Sequence, residues 1–133
     1  MIVVDSSAWI ELFRATGSPA DVLLTQLLET RRGQIAVTEV VFGELLAGES
    51  DERAVRRVRD QLVTFRMLRL RGVHDFELAA ALYRRCRERG EPVRNLTDCL
   101  VAVPAIRAGA TLLHNDRDFE KLARHTPLRL EPV

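Results

Sequence analysis

Four acidic residues, Asp5, Glu44, Asp98 and Asp116, stand at places in the chain where carboxylates can do chemistry. Asp5 directly follows the apolar run Met1 to Val4, whose brevity and β-branching predict a buried strand. Asp116 comes just after a second such run, Ala110 to Leu113. In a parallel sheet both acids lie at the carboxyl ends of strands, where open α/β sheets bind their ligands. Thr97 or Asp98 opens a predicted helix, DCLVAVPAIRAG, that leads into the strand before Asp116, so the Asp98 side chain can point to the same edge. Glu44 lies in the predicted helix EVVFGELLAG, among Val40, Val41, Leu45 and Leu46. A carboxylate near an apolar face requires a partner, because burying it unpaired is costly.

Carboxylates that converge in one cleft repel each other unless a cation neutralises them. Hard divalent cations such as Mg2+ and Mn2+ prefer oxygen ligands. Two such ions about 4 Å apart can clamp the attacking and leaving oxygens of a phosphodiester displacement. That chemistry draws carboxylates from distant parts of a chain and needs no cluster of histidine or cysteine. The three histidines, His74, His114 and His125, are scattered and show no ligand spacing. Taken singly, each acid also has a structural reading. Asp5 and Asp98 can cap helices, Asp116 and Asp118 can serve turns, and Glu44 can belong to a solvated face.

The segments VVDSSAWIELF, TEVVFGELLAG, NLTDCLVAVPAI and LLHNDRDFEKLA follow one another in this order along 133 residues. In these motifs, and over essentially its whole length, the chain resembles the PIN-domain nucleases, specifically the VapC-type toxins of bacterial toxin–antitoxin pairs. The resemblance implies a three-layer α/β/α sandwich with a mainly parallel central sheet. It implies an endoribonuclease that uses one or two Mg2+ or Mn2+ ions and cuts RNA phosphodiesters with a metal-activated water. It also implies a homodimer and a cognate antitoxin whose tail covers the active site. Carried onto this sequence, Asp5, Glu44, Asp98 and Asp116 match the family's acidic quartet. Asp118 matches a further acid of the final motif, and Ser7 and Asn115 match polar positions beside the metal ligands. On this reading Asp5, Asp98 and Asp116 hold the main ion, and Glu44 with Asp98 organises a second ion or its waters.

Pro104 departs from the family pattern. Inside a helix it removes a backbone donor and clashes one turn back, at roughly 3 kcal/mol when nothing compensates. A kink near the carbonyl of Leu100 is therefore expected, beyond Asp98 itself. For the RNA backbone, Arg94 is the preferred contact because it lies just before Asp98, with Arg14 and Arg117 as weaker candidates; ordinary surface charge is the alternative for all three. The net charge of +1 says little about partners, but the stretch from Arg53 to Arg94 holds twelve arginines against five acids. A local excess of this kind can attract phosphates, or it can simply solvate helix faces.

The elements that must position the acids are short. After Asp5, the residues Ser6 and Ser7 offer caps for a helix carrying Trp9 and Phe13, which Gly17 breaks. Ser18-Pro19 predicts a second helix start, with Leu23, Leu24, Leu27 and Leu28 at helical spacing and Gly33 at the close. A strand at Ile35 to Val37, Thr38 as the cap of the next helix, an arginine-rich helix from Asp51 to Phe65 and a strand at Met67 to Leu70 follow. Val73 to Arg89 reads as a helix with the apolar stripe Phe76, Ala79, Ala80, Tyr83 and Cys86. Helices over Asp98 and over Asp116 to Ala123, and a last strand at Leu128 to Leu130, complete a single α/β domain over residues 1–133.

Length and composition fit one hydrophobic core. Cys86 and Cys99 match no zinc spacing and are too few for a disulfide framework, so a reduced, cytoplasmic setting is expected. The opening residues lack a signal peptide's basic head, and no run is apolar enough to span a bilayer, so no membrane is expected. A non-catalytic PIN-fold module that binds RNA or antitoxin is the alternative, disfavoured because none of the acidic positions is replaced. A receiver-like domain with Asp5 as phosphoacceptor would need a second acid beside it, where Ser6 and Ser7 stand. A nucleotide-binding fold would need a glycine-rich loop after a strand, and none is present.

Overall fold

A computed structural model describes residues 1–133. The chain alternates strands β1 (Ile2–Val4), β2 (Ile35–Thr38), β3 (Arg66–Leu68), β4 (Thr111–Leu113) and β5 (Arg129–Leu130) with seven helices. Helices α1 (Ser6–Phe13) and α2 (Pro19–Thr30) separate β1 from β2. Helices α3 (Glu39–Ala47) and α4 (Glu52–Leu62) lead to β3, α5 (Gly72–Glu88) and α6 (Leu96–Arg107) to β4, and α7 (Arg117–His125) to β5.

The five strands form one wholly parallel sheet in the order β3-β2-β1-β4-β5. Neighbouring residues of a strand point to opposite faces. Every residue of β1 and β2 is buried, so both faces of the sheet are covered. On the helical layers α1 packs against α2 and α3, and α5 against α6 and α7. The chain moves from β1 to β2 and β3 on one side and returns to β4 on the other. The strand order therefore reverses between β1 and β4, and the carboxyl ends of that pair open the crevice typical of such sheets. Val4 stands level with Leu113, and the Asp5 N–H donates to the Leu113 carbonyl at 2.9 Å. This register brings Asp5 alongside the segment that carries Asp116.

Several expected helix starts are seen. Ser18 Oγ accepts from the Asp21 N–H, with Pro19 as the first helical residue, and Thr38 Oγ1 accepts from the Val41 N–H. Others differ. The cap of α1 is Asp5, whose carboxylate takes the Ser7 N–H, not Ser6 or Ser7. Helix α6 starts at Leu96, one or two residues before the Thr97 or Asp98 start expected, with Asn95 as its cap, so Asp98 sits in the first turn with its side chain free of capping. Gly33 lies in a short 3-10 turn, Arg32–Gln34, after α2 has ended. Helix α1 ends at Phe13, ahead of Gly17, and the reversal that follows uses Ala15 and Gly17 at φ +50° and +74°.

Helix α6 runs through Pro104 to Arg107, as the segment DCLVAVPAIRAG predicts, and every residue from Cys99 to Ala105 is buried, a packing that offsets the lost hydrogen bond. The stripe expected on α5 holds at Ala79 and Cys86, which are buried, and at the half-buried Ala80 and Tyr83, but Phe76 is 49% exposed and Asp75 is buried in its place. Asp75 can be buried there because the Arg71 N–H donates to it at 2.6 Å and the Arg107 guanidinium pairs with it.

Candidate metal centre

Asp5 ends β1 and is buried. Its Oδ2 accepts from the Ser7 N–H at 3.0 Å and from Ser7 Oγ at 2.6 Å. Ser7 Oγ in turn accepts from the Asn115 N–H at 2.9 Å, which joins the ends of β1 and β4 through one hydroxyl. Burial pushes the Asp5 carboxyl up to about 6, against the pull of the Ser7 hydrogen bonds, and the charge of Glu44 adds to the rise. Glu44 sits on the exposed side of α3, where Val41 and Leu45 take the buried positions. Its partner is Ser6, whose Oγ donates to Glu44 Oε1 at 2.8 Å and so ties α3 to the start of α1.

Asp98 projects from the first turn of α6. Its Oδ2 is buried and has no hydrogen-bond partner. Burial first, and then the charges of Asp5, Asp116, Asp118 and Glu44, push this carboxyl up to about 7. Oxygens of Asp98, Asp116 and Asp118 all lie within 4.8 Å of one another. A buried carboxylate oxygen without a donor, among like charges, is what an oxygen-seeking divalent cation would satisfy. The donor set therefore fits such an ion.

The other side of the cluster carries its own cations. Asp118 is buried, and its Oδ2 accepts from both the backbone N–H and Nε of Arg94 at 2.9 Å. Lys121 Nζ lies 3.0 Å from Asp118 Oδ1. Burial is the largest single influence on Asp118, yet the bonds from Arg94 and Lys121 outweigh it and hold the carboxyl below the usual carboxylate range. Asp116 caps α7: its Oδ1 takes the Asp118 N–H at 3.0 Å and Arg94 Nη2 at 2.8 Å. The Asp116 N–H donates to His114 Nδ1 at 3.0 Å, and burial lowers the His114 pKa. Cys99, next to Asp98, is buried and its thiol is pushed up to about 12, which leaves it protonated and unsuited to ligation.

The five sequence-predicted acids thus gather at one end of the sheet, but in unlike states. Asn115 takes part through its backbone while its side chain is exposed. Arg94 is engaged by Asp116 and Asp118. Arg14 is exposed and shares a surface depression with Glu44 and Ile10. Arg117 is exposed at the start of α7 and faces the same depression as Arg94 and Lys121. Two residues escape the sequence reading, Ser6 and Lys121. Lys121 stands three positions after Asp118 on one helix, the spacing at which opposite charges meet, and that signal was available.

Residues 2–125 match the model of the PIN domain family. The chain is 41% identical over 129 residues to the ribonuclease VapC11 of Mycobacterium tuberculosis, covering 97% of this chain and 96% of that protein. A VapC ribonuclease of Mycobacterium bovis matches with the same identity and coverage. Among solved structures, VapBC2 from Rickettsia felis, bound to a DNA fragment from its promoter, shares the fold with a TM-score of 0.73. Its sequence identity is 20%, over 98% of either chain.

Proposed function

The chain belongs to the PIN domain family and groups there with the VapC ribonucleases, and on that premise we propose that it is a Mg2+- or Mn2+-dependent endoribonuclease, the toxin of a toxin–antitoxin pair. The observation that carries this reading is the partnerless buried oxygen of Asp98 beside Asp116 and Asp118, with the charge of the buried Asp5 also acting on it.

Asp5, Asp98 and Asp116 are the proposed ligands of the main ion. When bound, a divalent ion supplies charge neutralisation at the phosphate and lowers the pKa of the attacking water. The chain's own residues do the rest. Ser7 holds Asp5 in place and couples it to the β4 segment through the Asn115 N–H. Ser6 holds Glu44 at the rim, where it organises a second ion or waters. Asp118 reaches the same point with both oxygens already held by Arg94 and Lys121, so it is the weaker ligand and the anchor of those two cations. Arg94, with the exposed Arg117 and Arg14, offers positive charge to the RNA backbone, which makes binding salt-dependent. A homodimer and a cognate antitoxin are part of the same reading. No helix is long and apolar enough to cross a membrane.

The test is cleavage of a mixed RNA pool by purified protein with Mg2+, with Mn2+ and with chelator, beside Asp98→Asn. Metal-dependent cutting that the variant lacks is the expected result. RNA or antitoxin binding without any cutting would favour the non-catalytic module instead.

A further inference from the structure

A cleft of about 420 Å³ lies beside the acids on the outer side of α5 and the start of α6. Ala80, Tyr83 and Leu96 form its floor, and Arg84, Arg87 and Arg94 stand around it. Tyr83 is the only tyrosine of the chain and is half-buried, while Leu96 is 41% exposed at the first position of α6. No carboxylate lines the cleft, and Arg84 and Arg87 belong to none of the molecule's ion pairs. Arg94 is the exception, and its partners give the cleft its meaning. Its Nη2 is 2.8 Å from Asp116 and its Nε 2.9 Å from Asp118, so one side chain separates the cleft from the metal centre.

We propose that this cleft is a nucleobase subsite: it takes one unpaired base of the RNA next to the cut phosphodiester, stacked on Tyr83 and flanked by Arg84, Arg87 and Arg94. The inference rests on the endoribonuclease reading above and adds the substrate class, RNA with an unstacked base at the scission point. Single-stranded RNA is recognised by splaying bases onto aromatic side chains and guanidinium planes, with the phosphates held by basic groups. A flat apolar floor ringed by three guanidiniums matches that ligand in shape and charge. An apolar protein segment would cover the floor but leave the guanidiniums without counter-charge. Tyr83, part of the apolar stripe of α5, packs in part against the core and is half-buried, which leaves it lining this cleft as well.

The experiment uses short single-stranded RNAs carrying 2-aminopurine at each position in turn, bound with Ca2+ in place of Mg2+ so that nothing is cut. Stacking quenches the fluorescence of the base that enters the cleft. The expected result is quenching at one position, retained in Tyr83→Phe and lost in Tyr83→Ala, with affinity about tenfold weaker in the latter, the effect of one stacked base. Arg87→Gln, an exposed change that leaves the fold intact, should weaken binding and lower its salt dependence. An even fluorescence profile, or quenching unchanged in Tyr83→Ala, overturns the subsite. Cutting in Mg2+ together with that even profile sinks the subsite and leaves the nuclease standing, whereas no binding of any probe and no cutting of the pool sinks both. A Tyr83→Ala variant that dissociates a dimer while RNA quenching stays the same would assign the cleft to a second copy of the chain, and the subsite would fall.

Discussion

Helices α5 and α6 each bring an aspartate into the interior, and the two are treated in opposite ways. Asp75 is completely buried, yet the Arg71 N–H and the Arg107 guanidinium meet both of its oxygens. Burial, the largest influence, would raise its pKa, but those partners overcome it and hold the carboxyl below the usual range. Asp98 is only half-buried, but its inner oxygen has no donor, and four neighbouring acids join burial in pushing it up to about 7. Asp75 has its counter-charge built into the chain, whereas the inner oxygen of Asp98 has none. Both situations meet around Asp118, since Arg94 and Lys121 neutralise one side of the cluster and leave that oxygen of Asp98 without a partner.

That contrast can be broken most decisively at its two aspartates. Asp98→Asn should remove RNA cutting entirely while raising the melting temperature of the metal-free protein, because it takes a charge out of a repulsive site. A variant that keeps its cutting, or that melts lower without metal, would place Asp98 with Asp75 as a structural acid. Arg107→Ala should act the other way. It strands a buried carboxylate and should destabilise by about 3–5 kcal/mol in chemical denaturation, the usual outcome of breaking one side of a buried pair. Wild-type stability in that variant would show that the Asp75 pair contributes little.

Titration sharpens the same contrast. Folded Asp5 keeps its proton up to about pH 6 against an ordinary 3.8, so between those values the folded state binds more protons than the unfolded state. Metal-free stability should therefore fall as pH rises through this window, by up to about 3 kcal/mol from Asp5 alone. Asp98 extends the fall to about pH 7. Asp75 has the opposite sign: its stabilisation is present above the ordinary carboxylate range and is lost as pH falls through its depressed value. Mn2+ should cancel the loss near neutrality, and thermal melts across pH with and without Mn2+ read all of this. A metal-free melt that does not change from pH 4 to 7 would contradict it. The smallest effect belongs to Ser6→Ala, which frees Glu44 from one hydrogen bond and should slow cutting by up to roughly tenfold with little change in stability. An unchanged rate would remove Ser6 from the site.

The acidic positions were legible because chain position stands in for geometry in a parallel sheet. A carboxylate after β1 and another after β4 must meet at one edge, whatever the details between them. Ser18-Pro19 and Thr38 were legible for a related reason, since caps act within three residues of themselves. Asp75 and Phe76 were not: the stripe Phe76, Ala79, Ala80, Tyr83 and Cys86 is broad, and its Phe76 edge is exposed while Asp75 is buried. The guanidinium that lets Asp75 be buried comes from Arg107, which is 32 residues away. The helix through Pro104 was legible from its apolar run, while the burial from Cys99 to Ala105 that accommodates the proline comes from the surrounding packing. Arg94 was read as an RNA contact from its place before Asp98, and its bonds to Asp116 and Asp118 had no local signal.

By itself, the sequence determined the alternation of strands and helices, the family resemblance and the set of acids that share one edge. These follow from periodicity, turn residues and chain order, which act over a few residues. Only the tertiary structure decided which acids carry counter-ions and which remain unpaired, which face of α5 turns outward, and that Tyr83 stands beside Arg94. Those outcomes depend on charges and packing brought together from distant segments, and the free energy of a buried carboxylate is set by what surrounds it, not by its neighbours in the chain.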